Sequence, residues 1–428
     1  MKCDFRSASL VSDTEFKSSA LLLEPFRKLL VKQFTETDYV HKEASIQLPF
    51  DEKMMVRVQK LAKTYSSKTL KYLVVIGIGG SNLGTQAIDE ALPPPLTPPR
   101  AGGEPARILY LDTVSTHTFN NIFTTLKTCK SKEEFLLVSI SKSGGTTETT
   151  ANTEALISAL KKPFGTVLNR LVIITGKDSK FWNAATSQNI PCLEIPEMVG
   201  GRYSVFSAVG LFPLALAGVD IKKLLAGAKE AVQDGTNQSL KTNIALSSAI
   251  TSSVSYTKGH TIHNSFFFAP ELESLGKWYR QLMAESLGKD GKGLMPIVSI
   301  GSTDMHSMAQ LYYGGANNAI TNVITAPIKG SVKVPKKLAF PGLVETIGGK
   351  SLEDIMNAIS EGTKTAYKKL KRPIVTFEFE KLDAYELGYY LQTRMIEIMY
   401  LAKLMDVDAF DQPMVEAYKK ETKVLLRK

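Results

Sequence analysis

An α/β protein with two parallel sheets, each flanked by helices, is what this sequence predicts. Three observations carry that reading. Short apolar runs rich in β-branched residues alternate with helix-length segments, which is the pattern of parallel strands joined by crossover helices. The alternation pauses near residue 219 and resumes after residue 260, so it occurs twice. The chain has 428 residues, 43% hydrophobic and 22% charged, enough for two ordinary domains with separate cores.

Taken in order, residues 1–70 read as a mostly helical N-terminal arm, with apolar spacing in Leu21–Phe34 and Met54–Leu61. Strands are expected at Lys71–Ile76, Ile108–Leu111, Phe135–Ile140, Leu171–Thr175 and Cys192–Ile195, where Val and Ile suit a buried pleat. Helical runs at Gly84–Leu92, Phe119–Lys127 and Ala151–Leu160 separate them, and an apolar helix, Ala208–Ala217, closes the unit. Two helices follow within residues 221–258. The second alternation places strands at Ile262–Phe268, Pro296–Ile300, Asn322–Thr325 and Ile374–Glu378. Its helices are Glu271–Ser286, Met305–Tyr313, Leu352–Lys369 and Leu382–Met405. A last helix spans Pro413–Leu426. The expected division is thus 1–70, 71–218, 219–412 and 413–428. Pro93–Pro99 with Gly102 and Gly103 reads as a stiff surface loop.

The formal net charge is 52 − 42 = +10. Lys and Arg are scattered with no run of five, which disfavours a nucleic-acid tail and suits attraction of small anionic metabolites. Cys3, Cys129 and Cys192 are far apart and odd in number, so no disulfide framework or metal spacing is expected, and a reducing compartment fits. Met1–Leu10 lacks a signal-peptide core, and windows such as Val209–Val219 are too short to span a bilayer. A soluble, cytoplasmic protein is the expectation.

Ser139-Ile-Ser-Lys-Ser-Gly-Gly-Thr-Thr-Glu-Thr-Thr150 is the most informative segment. It holds seven Ser/Thr, two Gly and one Lys in twelve residues, between a strand and a helix. Gly144 and Gly145 allow a tight turn with N–H groups close to an anion, and the helix start aims further N–H groups at the same place. Ser141, Ser143, Thr146 and Thr149 add hydroxyls, and Lys142 adds charge. The segment reads as a pocket for a phosphate dianion. An ordinary capped turn would need only one or two of these hydroxyls.

Four further segments could carry chemistry. Gly77-Ile-Gly-Gly-Ser-Asn-Leu-Gly84 has Asn82 where a dinucleotide fingerprint requires Gly, and no Gly-Lys-Ser/Thr at phosphate-loop spacing. It remains a glycine turn against which a substrate can lie, with Ser81 as a donor. Gly200-Gly-Arg-Tyr-Ser-Val-Phe-Ser207 places the permanent charge of Arg202 before an apolar helix. Gln281 and Glu285, four apart, share a helix face. In Ser302-Thr-Asp-Met-His306, Asp304 is the expected N-cap and His306 sits in the first helical turn, where the dipole favours neutral imidazole. His260 and His263 lack a third ligand, so no metal is assigned.

Taken together these segments resemble the glucose-6-phosphate isomerase family, in its short bacterial form. Gly77–Gly84, Ser139–Thr149, Gly200–Gly210, Gln281–Gly288, the Asp304-Met-His-Ser segment and Gln412–Lys419 carry the resemblance in order, from about Tyr72 to Lys420. It implies two flavodoxin-like sugar isomerase domains and interconversion of an aldose and a ketose 6-phosphate without metal or cofactor. By resemblance, Glu285 moves a proton between C2 and C1, and Arg202 stabilises the cis-enediolate between them. His306 and Lys419 open the sugar ring, and Glu148 orients the histidine. Ser141, Lys142, Ser143, Thr146 and Thr149 hold the phosphate, while Gly80, Ser81, Gln281 and Gln412 position the substrate. The resemblance also implies a homodimer in which His306 crosses to the partner's site. Alternatives are activity on mannose 6-phosphate as well, or a sugar-phosphate-binding regulator. Residues 1–70 show no DNA-reading basic helix to favour the latter.

Overall fold

Two five-stranded sheets organise the chain, as the alternation predicts. The computed structural model describes residues 1–36, 38–92, 105–327 and 330–427; the proline-rich stretch lies outside these. The strands are β1 (Lys2–Asp4), β2 (Tyr72–Ile76), β3 (Arg107–Leu111), β4 (Phe135–Ser141), β5 (Leu171–Gly176), β6 (Cys192–Ile195), β7 (Ile262–Phe267), β8 (Met295–Ile300), β9 (Ala319–Thr325) and β10 (Ile374–Glu378).

The first sheet runs β3-β2-β4-β5-β6, all parallel. Its two faces separate by residue parity, because side chains alternate along a strand. Val74, Ile76, Leu137 and Ile173 pack beneath the helices Thr116–Lys127 and Thr147–Phe164. Leu73, Val75, Leu136 and Val138 face a larger core that also takes in Phe267, Ile320 and Val375 of the second sheet. The strand order reverses direction between β2 and β4. In a doubly wound sheet, that switch point opens a crevice at the carboxyl ends of the strands.

The second sheet runs β1-β10-β9-β7-β8. Four strands are parallel and repeat the same winding; β1 is antiparallel on the edge, with Cys3 opposite Phe377. The helical expectation for residues 1–70 missed β1. Lys-Cys-Asp has no alternation of its own and is a strand because β10 offers it an open edge. The helix Asp13–Phe34, started by a Ser12–Glu15 capping box, packs on the helices Ile244–Thr257 and Ala384–Met405. The latter is buried along nearly its whole length. It carries the fully buried pair Arg394–Glu397, 2.7 Å apart, with Tyr279 and Ser248 also donating to Glu397.

The expected helix Met305–Tyr313 is instead two short helices, Thr303–Ser307 and Ala309–Gly314, broken at Met308. Asp304 is not the N-cap. Ser302 stands there, and Asp304 accepts from the Ile300 N–H at 2.7 Å and from the Ser307 hydroxyl at 2.8 Å. His306 consequently lies in the last turn of its helix.

Candidate active site

The site grows from the two loops that flank the switch point. After β2 the chain turns at Gly79–Ser81 and enters the helix Leu83–Ala91. A side chain at Gly80 would place its Cβ 2.1 Å from the Gly201 carbonyl carbon and 2.5 Å from the Arg202 nitrogen. Only glycine lets these two backbones touch. The contact brings the Gly200–Tyr203 turn, and with it Arg202, over the end of β2. Gln281 closes in from the second half of the chain; its amide nitrogen would be 2.8 Å from a Cβ at Gly79.

After β4, Gly144 takes φ +67° and its N–H returns to the Ser141 carbonyl at 3.1 Å. The Ser141 and Thr146 hydroxyls are 2.9 Å apart, and the Ser143 hydroxyl accepts from the Gly145 N–H at 3.3 Å. Thr146 stands at the N-cap of Thr147–Phe164 but makes no capping bond with its side chain. The first-turn N–H groups therefore stay uncapped by it. The Thr149 hydroxyl is buried without a partner. Burial pushes the Lys142 ammonium below its usual pKa; Glu197 opposes that shift and Arg202 adds to it.

Arg202 is 4% exposed and is held on every side. Its Nε donates to Ser286 Oγ at 2.8 Å. Nη1 donates to Gln412 Oε1 at 3.0 Å and to Glu285 Oε2 at 3.4 Å, and Nη2 to the carbonyls of Ala409 at 2.6 Å and Asp411 at 3.1 Å. The other Glu285 oxygen accepts from the Gln281 amide at 2.9 Å. Tyr203 shares Ser286, at 3.1 Å, and its ring lies 5.4 Å from that of Phe410. The arrangement sets a carboxylate and a fixed cation side by side at the mouth of the crevice. A carboxylate so placed can carry a proton, and the guanidinium can hold charge that develops beside it.

Of the sequence-predicted residues, Arg202, Gln281, Glu285 and Gln412 thus meet directly, next to Gly80. Ser81 lies in the turn with Gly80, half-buried. Ser141, Lys142, Ser143, Thr146 and Thr149 form the neighbouring loop. Three residues do not join them within the chain. His306 is exposed, on the short helix after β8. Glu148 is half-buried in the first turn of its helix. Lys419 pairs with Glu416 at 2.8 Å, on the helix Val415–Leu425, which buries no residue. Sequence reasoning missed Ser286, Tyr203 and the carbonyls of Ala409 and Asp411. Ser286 adjoins Glu285 and could have been suspected; a backbone carbonyl leaves no mark on sequence. Among the described residues, no group of three or more His, Cys, Asp or Glu side chains is set to hold a metal ion, and no helix is long and apolar enough to cross a membrane.

Known proteins resemble this chain in sequence and in fold. Residues 50–319, which include Arg202, Glu285 and His306, match the family Phosphoglucose isomerase. A glucose-6-phosphate isomerase of Rubrobacter xylanophilus is 31% identical over 88% of this chain and 87% of its own length. One from Acholeplasma laidlawii is 32% identical over 89% and 88%. Among solved structures, a hypothetical protein from Thermus thermophilus superposes with a TM-score of 0.86 at 26% identity, covering 99% of both chains. A glucose-6-phosphate isomerase from Chlamydia trachomatis shares the fold, with a TM-score of 0.77 at 18% identity over 97% of this chain and 86% of its own. Identity at this level over most of each relative, with the family match running through the Arg202–Glu285 pair, makes this chain a member of the phosphoglucose isomerase family.

Proposed function

We propose that the crevice isomerises D-glucose 6-phosphate and D-fructose 6-phosphate through a cis-enediolate, with Glu285 as the proton carrier. The protein is an aldose-ketose isomerase of glycolysis and gluconeogenesis. The observation that best supports the residue roles is the contact of Arg202 with Glu285 beside a hydroxyl-rich loop. The phosphate sits among Ser141, Lys142, Ser143, Thr146 and Thr149. Gly80, Ser81, Gln281 and Gln412 orient the open chain. Glu285 takes the C2 proton of the aldose and returns it to C1. The oxygens of the enediolate share negative charge, and Arg202, which cannot lose its proton, offsets it.

Closed rings must open first. His306 and Lys419 move a proton from the C1 hydroxyl to the ring oxygen, and Glu148 orients the imidazole. The exposure of His306, which makes no hydrogen bond or ion pair with Glu148 within the chain, supports a homodimer in which each subunit lends His306 to the other. Cytoplasmic residence is part of the same reading, supported by three free cysteines. So is the division into units 71–218 and 219–412, with an arm before and a helix after; the placement of β2–β6 in one sheet and β7–β10 in the other supports it.

Incubation with fructose 6-phosphate in heavy water tests the chemistry. Deuterium is expected at C2 of the glucose 6-phosphate formed. Absence of both isomerisation and C1 exchange would overturn the reading. Glu285→Gln is expected to bind fructose 6-phosphate normally and turn it over at least about a hundredfold more slowly.

A further inference from the structure

The segment that follows the helix Ala384–Met405 supplies three of the acceptors on Arg202: the Ala409 and Asp411 carbonyls and the Gln412 side chain. Ala409 lies in the core and Val407 and Phe410 pack against it. A cavity of about 320 Å³ lies behind it, lined by Phe26, Lys42, Asp290, Lys403 and residues 406–410. Polar tethers add to that packing, and most come from one place. The turn after the Glu285 helix, with Asp290 and Gly291 at positive φ, presents two lysines. Lys292 donates to the carbonyls of Met405 at 2.9 Å and Asp406 at 3.3 Å. Lys289 donates to the Asp408 carbonyl and pairs with Asp411 at 2.5 Å.

These contacts close a ring. The helix Glu273–Leu287 carries Glu285 and Ser286; its following turn grips the 405–411 segment; that segment grips Arg202; and Arg202 returns to Ser286 and Glu285. Lys289 holds the decisive link. Its two partners bracket Ala409, whose carbonyl makes the shortest bond to Arg202. Its side chain is 8% exposed, whereas Lys42, which pairs with Asp408, is 59% exposed and is screened by water. Lys292 fastens carbonyls at the end of a long helix that is already rigid.

We propose that Lys289 is a positioning residue for the Arg202–Glu285 pair, acting through the 408–412 segment. The inference rests on the role given to Arg202 above. Loss of Lys289 lets the segment drift, and the guanidinium with it, without touching the phosphate loop. Misplacement of a charge-stabilising group on this scale lowers turnover far more than binding.

Lys289→Met leaves Asp411, 55% exposed on its side chain, in water, so the fold survives. The test uses the full-length protein and two probes: a five-carbon aldonic acid phosphate, whose carboxylate mimics the enediolate charge, and sorbitol 6-phosphate, which has the phosphate and a neutral head. For Lys289→Met, kcat for fructose 6-phosphate is expected to fall about tenfold with KM within about twofold of the parent. Affinity for the aldonic acid phosphate falls by about the same factor, while that for sorbitol 6-phosphate holds. Lys289→Arg restores most of the turnover. Unchanged kcat, or parallel loss of both probes, overturns the inference. Arg202→Ala separates the two levels of the argument. If Arg202→Ala keeps the preference for the charged probe, the role of Arg202 falls and this inference with it. If Arg202→Ala loses the preference but Lys289→Met keeps it, this inference falls alone.

Discussion

Every N–H donor of Arg202 already has an acceptor in the protein. A substrate oxygen that takes its place beside the guanidinium must displace one of them, and the longest contact, Nη1 to Glu285, gives way most easily. On the proposed mechanism, that exchange frees the carboxylate as charge forms near the arginine. Gly80 matters at the same scale. Gly80→Ala is expected to destabilise the fold by about 1–3 kcal/mol through overpacking, and to lower turnover by displacing the Arg202 turn. Gly362→Ala, at an exposed position of the helix Leu352–Lys369, is the control, because a Cβ there meets nothing within 4 Å. Thermal melts and kcat on both variants check this; equal behaviour of the two would count against the Gly80 contact. The side chains that meet at the candidate site were legible because Ser, Thr, Gly, Arg and Glu cluster in short runs. The acceptors at 409 and 411 were not, since any residue there supplies the same carbonyl.

At the scale of elements, helix length and apolar spacing located nearly every helix, because most of them bury one face. The break at Met308 was invisible, as the residues on both sides keep helical periodicity. The helix Val415–Leu425 illustrates the limit in another way. It buries no residue within the chain, so the role proposed for Lys419 can be tested apart from packing. Lys419→Met is expected to lower turnover of ring-closed glucose 6-phosphate about a hundredfold with an unchanged melting temperature, while Lys420→Met changes neither. Equal loss in both would refute the choice of Lys419. On β7, His263 is fully buried, accepts from Asn322 at 3.1 Å and packs on Tyr279. Burial, with Arg394 adding to it, pushes its pKa down to about 3 from the usual 6.5. Between those values the unfolded chain binds the extra proton, so this residue makes stability fall as the pH drops through that window. Asp89, raised to about 6 by burial, has the opposite slope above its unfolded value. Comparing His263→Gln with the parent cancels the Asp89 contribution. The variant is expected to lose less urea resistance than the parent between about pH 7 and about pH 4.5; parallel curves would exclude the assignment.

For the molecule as a whole, the proposed exchange of His306 makes a sharp prediction. Neither His306→Ala nor Glu285→Gln should be active alone. Mixed, dissociated and reassembled, they form heterodimers with one intact site, and about a quarter of parental activity should return. No recovery would mean each chain works with its own histidine, or none. The topology was readable because alternation of strand and helix admits few windings. What no local pattern could show was that the first strand belongs to the last sheet. Residues 2–4 find their neighbours only at 376–378, more than the whole first sheet away along the chain. During synthesis that segment must wait, unpaired, while β2 to β6 assemble and everything up to β10 emerges. A premature partner for it, or a bulky tag joined to it, would therefore be felt at the far end of the polypeptide.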